Sequence, residues 1–230
     1  SGMLSDPYLL APNKPLLSKL LTNQLYRKIY TAHLRTIIKE SLDTSWFLQN
    51  INNLQSLAYP AVLSDYEKGY STQDFFDNIN QVSVLNQWIS SQPLMPVVLA
   101  RINDLAQHPE INLSSPTILN VNVLGNYITA EVSGADSVHL MLTLSEYNSK
   151  FQKIIMIDDG QNGDLFANDG IYTSYYQFPV NGDKVKFYIR AINSNALTLS
   201  PERAEYEFYT YSTITSNINV NDNVQKRLLK

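Results

Sequence analysis

The stretch with the densest chemistry is Asp158-Asp159-Gly160-Gln161-Asn162-Gly163-Asp164-Leu165-Phe166-Ala167-Asn168-Asp169-Gly170-Ile171-Tyr172. Asp158, Asp159, Asp164 and Asp169 bring hard oxygen ligands to one short segment, and Gly160, Gly163 and Gly170 permit tight backbone turns. Calcium asks for that combination, since it takes about six to eight oxygens from carboxylates, carbonyls and water. The order differs from an EF-hand: the Asp-x-Asp-x-Asn-Gly run and its closing Glu are missing. The same residues also build Asx-turns, in which Asp and Asn side chains accept from nearby backbone N–H groups and shape a long hairpin. Calcium, with these four aspartates as candidate ligands, and Asx-turns therefore stand side by side. A paired-carboxylate glycosidase is less well served, because its two carboxylates sit on separate rigid elements flanking a cleft.

Other chemistries find fewer residues. With no cysteine, thiol catalysis, disulfides and thiolate zinc sites are excluded. His33, His108 and His139 are dispersed, and no nucleophile with an orienting group can be placed beside His33. Neither the Walker nor the Rossmann glycine pattern occurs. Aromatics gather at Tyr172, Tyr175, Tyr176 and Phe178, at Phe187 and Tyr188, and at Tyr206, Phe208, Tyr209 and Tyr211. Exposed on a sheet, Tyr176 and Tyr188 would stack on sugar rings; more commonly such residues form cross-strand pairs.

The elements that must position these residues divide the 230-residue chain. Ser1-Gly2 is read as a cloning remnant and set aside. Between it and Gly125 the single glycine is Gly69. Pro15 opens a short helix; Leu25, Ile29, Leu34, Ile37 and Ile38 recur at helical spacing through about Ser41. Thr44 or Ser45 is expected to cap a helix that Pro60 kinks or ends. Ser71 to Asp74 resembles a capping box, and a last helix starts near Pro93 or Pro96. Beyond Pro116 the period becomes two. Val185, Phe187, Ile189 and Ala191 alternate with Lys184, Lys186, Tyr188 and Arg190, the mark of a half-buried antiparallel strand. Ile154 to Ile157 reads as a buried run, and Ala204 to Tyr211 as a strand. About seven short strands at this spacing suggest an immunoglobulin-like sandwich. The expectation is an α+β multidomain chain: an all-α subdomain over 3–110, an all-β immunoglobulin-like sandwich over 116–212 and a polar tail over 213–230.

Charge narrows the partners. Lys+Arg 17 against Asp+Glu 21 gives −4, so a nucleic-acid footprint is not expected over the whole chain. No apolar run reaches the roughly 18 residues of a membrane span. Abundant tyrosine and scarce lysine are a compositional hint of a secreted or surface protein.

Asn13-Lys14-Pro15-Leu16-Leu17-Ser18-Lys19-Leu20-Leu21, then Tyr26-Arg27-Lys28-Ile29-Tyr30-Thr31-Ala32-His33-Leu34-Arg35, resemble the late helical region of spore-coat protein H (CotH) kinase-like proteins. Ile51, Leu54, Tyr59-Pro60-Ala61-Val62, Asp65, the helix around Phe75, and Arg101 fit the same pattern. Asp158-Asp159-Gly160, Gly163-Asp164, Asp169-Gly170-Ile171-Tyr172 and Val185 to Ala191 resemble the immunoglobulin-like module that follows in such secreted bacterial proteins. The resemblance spans about Pro15 to Tyr211. It implies a parent that is an atypical protein kinase with an ATP- and metal-binding core upstream of this chain. No catalytic lysine, aspartate or metal ligand of that core has a match here. The chain would then be a non-catalytic structural or interaction part of an extracellular or cell-surface protein, its helices buttressing the upstream kinase-like domain and its sandwich acting as a spacer or docking module. A surface protein or glycan would be the partner of that module, and carbohydrate binding or adhesion through the sandwich aromatics is the alternative.

Overall fold

The computed structural model describes residues 6–8, 15–86, 89–145, 150–180, 182–213 and 219–220. The class is α+β, with five helices and antiparallel sheets among those residues. Backbone contacts divide the chain into two compact units: residues 1–21 with 34–112, here the helical unit, and residues 22–33 with 113–230, here the β unit. Among the described residues no helix is long and apolar enough to cross a membrane.

Helix α1 spans Pro15–Thr22, with the proline in its first turn. Helix α2 spans Gln24–Ser41, and the division falls inside it. Its later part belongs to the helical unit, where Arg35 donates from Nε to the Ile111 carbonyl at 2.8 Å and from Nη2 to Glu110 at 3.1 Å. Helix α3 spans Thr44–Ser64, and its N-cap is Asp43, one residue before the expected Thr44 or Ser45. A carboxylate there accepts from Trp46 N at 2.8 Å and faces the positive end of the helix dipole. Pro60 lies inside α3 without ending it; it removes one backbone donor only a turn from the terminus. Helix α4, Thr72–Asp77, begins with the expected capping box: Ser71 accepts from Asp74 N while Asp74 accepts from Ser71 N.

An unexpected hairpin follows, so this half is not all-α. Strands β1 (Ser83–Asn86) and β2 (Ile89–Ser91) pair antiparallel. Runs of four and three residues are too short to stand out against helical spacing on either side. Helix α5 spans Leu94–Ala106, with Pro93 at its N-cap and Met95 and Leu105 buried.

In the β unit, β3 (Thr117–Leu124), β4 (Tyr127–Ser133) and β7 (Ile171–Tyr175) form one sheet in the order β3-β4-β7. Strands β5 (Ser137–Thr143), β6 (Gln152–Met156), β8 (Val185–Ile192), β9 (Leu197–Ser200), β10 (Tyr209–Tyr211) and β11 (Asn219–Val220) form the other. Its order is β11-β10-β8-β5-β6, with β9 on β8. Ile128, Ala130 and Val132 of the first sheet share one core with Val138, Leu140, Val185, Phe187 and Ile189 of the second.

Several expectations change here. Strand β8 is buried on both faces rather than half-buried: a second core joins Tyr188 to Met141, Phe151, Leu199 and Phe208, with Ala32 and Ile29 from the early part of α2 packed on it. That packing explains why residues 22–33 group with the β unit although their spacing is helical. Lys28 fastens the same helix, donating from Nζ to the carbonyls of Asn193 at 2.7 Å and Ser194 at 2.9 Å. Ile155 is 63% exposed, so Ile154 to Ile157 is an edge segment and not a buried run. The stretch from Ala204 turns before the chain becomes extended at Tyr209, while Leu197–Ser200 supplies a strand instead. Asn219–Val220, inside the expected polar tail, pairs with β10; the rest of that tail beyond Thr213 lies outside the described residues.

Candidate functional site

The acidic segment connects β6 to β7. It leaves β6 through a bridge between Ile157 and Thr173 and is pinched by a second bridge between Asp159 and Ala167. Gly160 takes φ +71, and a Cβ there would stand 2.9 Å from Ala167 N. Gly163 takes φ +96 with the Tyr127 ring 3.2 Å from where its Cβ would be. Both positions need glycine, for handedness and for room. Asn162 and Asn168 also take left-handed backbone, which asparagine tolerates better than most residues.

Each aspartate accepts from backbone amides of the loop itself. Asp158 Oδ1 receives the amides of Asn168 at 2.5 Å and Asp169 at 3.3 Å, and its Oδ2 receives Gly170 N at 2.9 Å. Asp164, only 4% exposed, receives Gly160 N at 2.7 Å and Phe166 N at 3.2 Å. Asp159 and Asp169 make short-range turns, accepting from Gln161 N at 3.1 Å and Ile171 N at 2.8 Å. The Asx-turn reading therefore describes the local backbone: carboxylates satisfy N–H groups that a glycine-rich loop leaves without ladder partners.

The fold also gathers three of the four. Asp158, Asp164 and Asp169 each offer a carboxylate oxygen, all within 4.8 Å of one another, and Asp159 stands outside this set. Among the described residues no cationic side chain pairs with any of the three. Like charges this close repel one another, and the backbone amides they accept from oppose that repulsion. The donor chemistry is all hard oxygen, which suits a divalent cation such as calcium. Tyr172 adjoins the cluster: burial, helped by the Asp158 charge, raises its hydroxyl above the ordinary tyrosine value.

The candidate sugar platforms are placed differently. Tyr188 is 3% exposed, its ring 5.1 Å from Phe151 and its hydroxyl donating to Glu205 Oε1 at 2.6 Å. Burial and Glu205 both push its pKa up. It offers no face to a ligand, which corrects the stacking expectation at this position. Tyr176 is half-buried against the core, edge-on to Phe178 at 5.3 Å. Exposed apolar rings occur instead at Phe166, Tyr175 and Tyr206.

The histidines do not converge. His33 and His139 have pKa values lowered by burial, His139 to about 4 with Arg190 and Lys153 adding to the effect. His108 lies by Tyr8 and stands 3.5 Å from Asp6 Oδ1. The sequence reading missed a cavity in the helical unit, because its lining comes from four separate elements. No family model matches this chain, and no curated protein matches it either.

Proposed function

We propose that this chain is a non-catalytic structural and interaction part of a larger CotH-like secreted or surface protein. In this reading the helical unit buttresses a kinase-like domain of the same polypeptide, and the β unit is an immunoglobulin-like sandwich serving as spacer or docking module. The observation that carries the reading is α3. It has 21 residues and not one is buried, with Leu54, Leu57 and Leu63 exposed at 63%, 79% and 54%. A helix with this much uncovered leucine is normally completed by another layer of protein. The resemblance of this region to the CotH helices supports a kinase-like domain as that layer.

Calcium is the cofactor proposed for the β unit. Asp158, Asp164 and Asp169 would hold it, closing the ends of the β6–β7 connection around one ion, in a structural role. Asp159 would keep only its turn.

The test is the double substitution Leu57→Asp and Leu63→Asp, made in this chain and in the polypeptide that carries the kinase-like domain. Buttressing requires a clear loss of melting temperature in the longer protein and almost none in this chain. Equal, negligible effects in both would remove the reading. A companion titration with ATP and magnesium should leave this chain's melting temperature unchanged, since a ligand that binds only the folded state raises it.

A further inference from the structure

The helical unit contains a cavity of about 470 Å³ framed by α3, α4, the β1–β2 hairpin and the start of α5. Its walls are mostly apolar: Ile51, Leu54 and Ala58 from α3, Phe75 from α4, Leu94 from α5, and Tyr70. Size and lining are those of small-molecule pockets, which run to roughly 300–1,000 Å³ and carry a few polar groups that fix orientation.

Most of the polar groups at its border are already engaged. Asn78 Nδ2 donates to the carbonyls of Gln81 and Ser91. Ser91 Oγ donates to Asn78 Oδ1, and Ser83 Oγ donates to the Asp74 carbonyl. Gln55 Nε2 donates to the Phe75 carbonyl at 2.7 Å. These bordering donors are thus engaged within the protein, Gln55 keeping one N–H and Tyr70 its hydroxyl. Acceptors remain: Gln55 Oε1 and Asp74 Oδ1 have no hydrogen-bond partner among the described residues, since both Ser71 contacts fall on Asp74 Oδ2. Asp74 also has no cationic partner there. Hydrogen bonds from Ser71 hold its carboxyl below the usual carboxylate range, so it carries its charge at neutral pH.

A carboxylate without a cationic partner at the exposed rim of an apolar cavity, with the free Gln55 Oε1 beside it, disfavours anions and favours a cationic hydrogen-bond donor. We propose that this cavity binds a small amphiphilic amine, its hydrocarbon or aromatic body against Ile51, Ala58, Phe75 and Leu94 and its ammonium group at Asp74 and Gln55. The site is separate from the acidic loop and borders the exposed face of α3 at Leu54, so the binding tests are made on this chain alone.

Three probes share one body and differ in the head: 4-phenylbutylamine, 4-phenylbutanol and 4-phenylbutyrate, titrated at pH 7 by calorimetry with amide chemical shifts followed on α3 and α4. The expected order is amine, then alcohol, then carboxylate, with at least tenfold between the first and last. Asp74→Asn should bring amine and alcohol to about equal affinity while the alcohol's own affinity is kept. Ser71→Ala removes the cap but not the charge, and should preserve the amine preference; this separates loss of charge from loss of α4. Leu54→Arg, at an exposed position, should block all three probes without unfolding the protein. Equal affinity for the three heads, preference for the carboxylate, or no binding of any at millimolar concentration would overturn the proposal.

Discussion

The helical unit and the β unit are built from similar amounts of apolar residue and use it in opposite ways. In the β unit, Ile128, Leu140, Val185, Phe187 and Ile189 are wholly buried between two sheets, and β8 is covered on its other face as well. In the helical unit, α3 carries Trp46, Leu48, Leu54, Leu57 and Leu63 in exposed positions and buries nothing. One unit has closed its core; the other retains an apolar surface and an apolar cavity. Apolar content alone does not say whether a segment closes a core.

The largest expected contrast comes from truncating each unit's own hydrophobe. Phe187→Ala should cost ~3–5 kcal/mol, the usual range for a fully buried ring. Leu57→Ala in this chain should stay within ~0.5 kcal/mol, as at an ordinary surface position. Urea unfolding followed by fluorescence and circular dichroism checks both, and a comparable loss at Leu57 would erase the contrast.

Next in size is the acidic loop. Gly160→Ala forces a Cβ toward Ala167 N at a positive φ, and should cost about 1–3 kcal/mol. Asp164→Ala leaves the amides of Gly160 and Phe166 without their acceptor and should cost a similar ~1–3 kcal/mol. If the loop holds calcium, millimolar calcium raises the melting temperature of the parent chain and not of Asp164→Ala, whereas Asp159→Ala, outside the gathered set, keeps the rise. A rise that depends equally on Asp159 would contradict the three-ligand arrangement.

A smaller effect is expected from pH. His139 is neutral in the folded β unit down to about pH 4, while in the unfolded chain it gains a proton near its ordinary 6.5. Its contribution to stability is therefore complete above about pH 6.5 and is lost as pH falls toward 4. His33 is shifted in the same direction. Urea midpoints at pH 7 and pH 5 should show the loss, and His139→Gln should reduce it; an unchanged slope would mean that the imidazole is solvated in the fold.

What could be read in the sequence was local. The Ser71–Asp74 capping box, the Pro15 start of α1 and the apolar face of β8 follow from spacing alone. So does the concentration of carboxylates and glycines at 158–170, because turn chemistry is written in adjacent residues. What could not be read was which surfaces meet. Nothing in the spacing of Ile29 and Ala32 says that they pack beside Tyr188, and the alternation of β8 does not say that Tyr188 lies inside a second core. Asp159 and Asp169 look equivalent in sequence; in the fold Asp159 lies in the bridge to Ala167 and Asp169 joins the gathered carboxylates. The cavity beside Asp74 was invisible because α3, α4, the hairpin and α5 each contribute only a few residues to it.

Amide hydrogen exchange tests the central contrast most directly. In this chain the amides of α3 should exchange through local openings of low free energy, while those of β8 exchange only with global unfolding of the β unit. In a longer polypeptide carrying the proposed kinase-like domain, α3 should gain protection and β8 should not change. Protection of α3 already equal to that of β8 in this chain would contradict the claim that the helical unit awaits a covering layer.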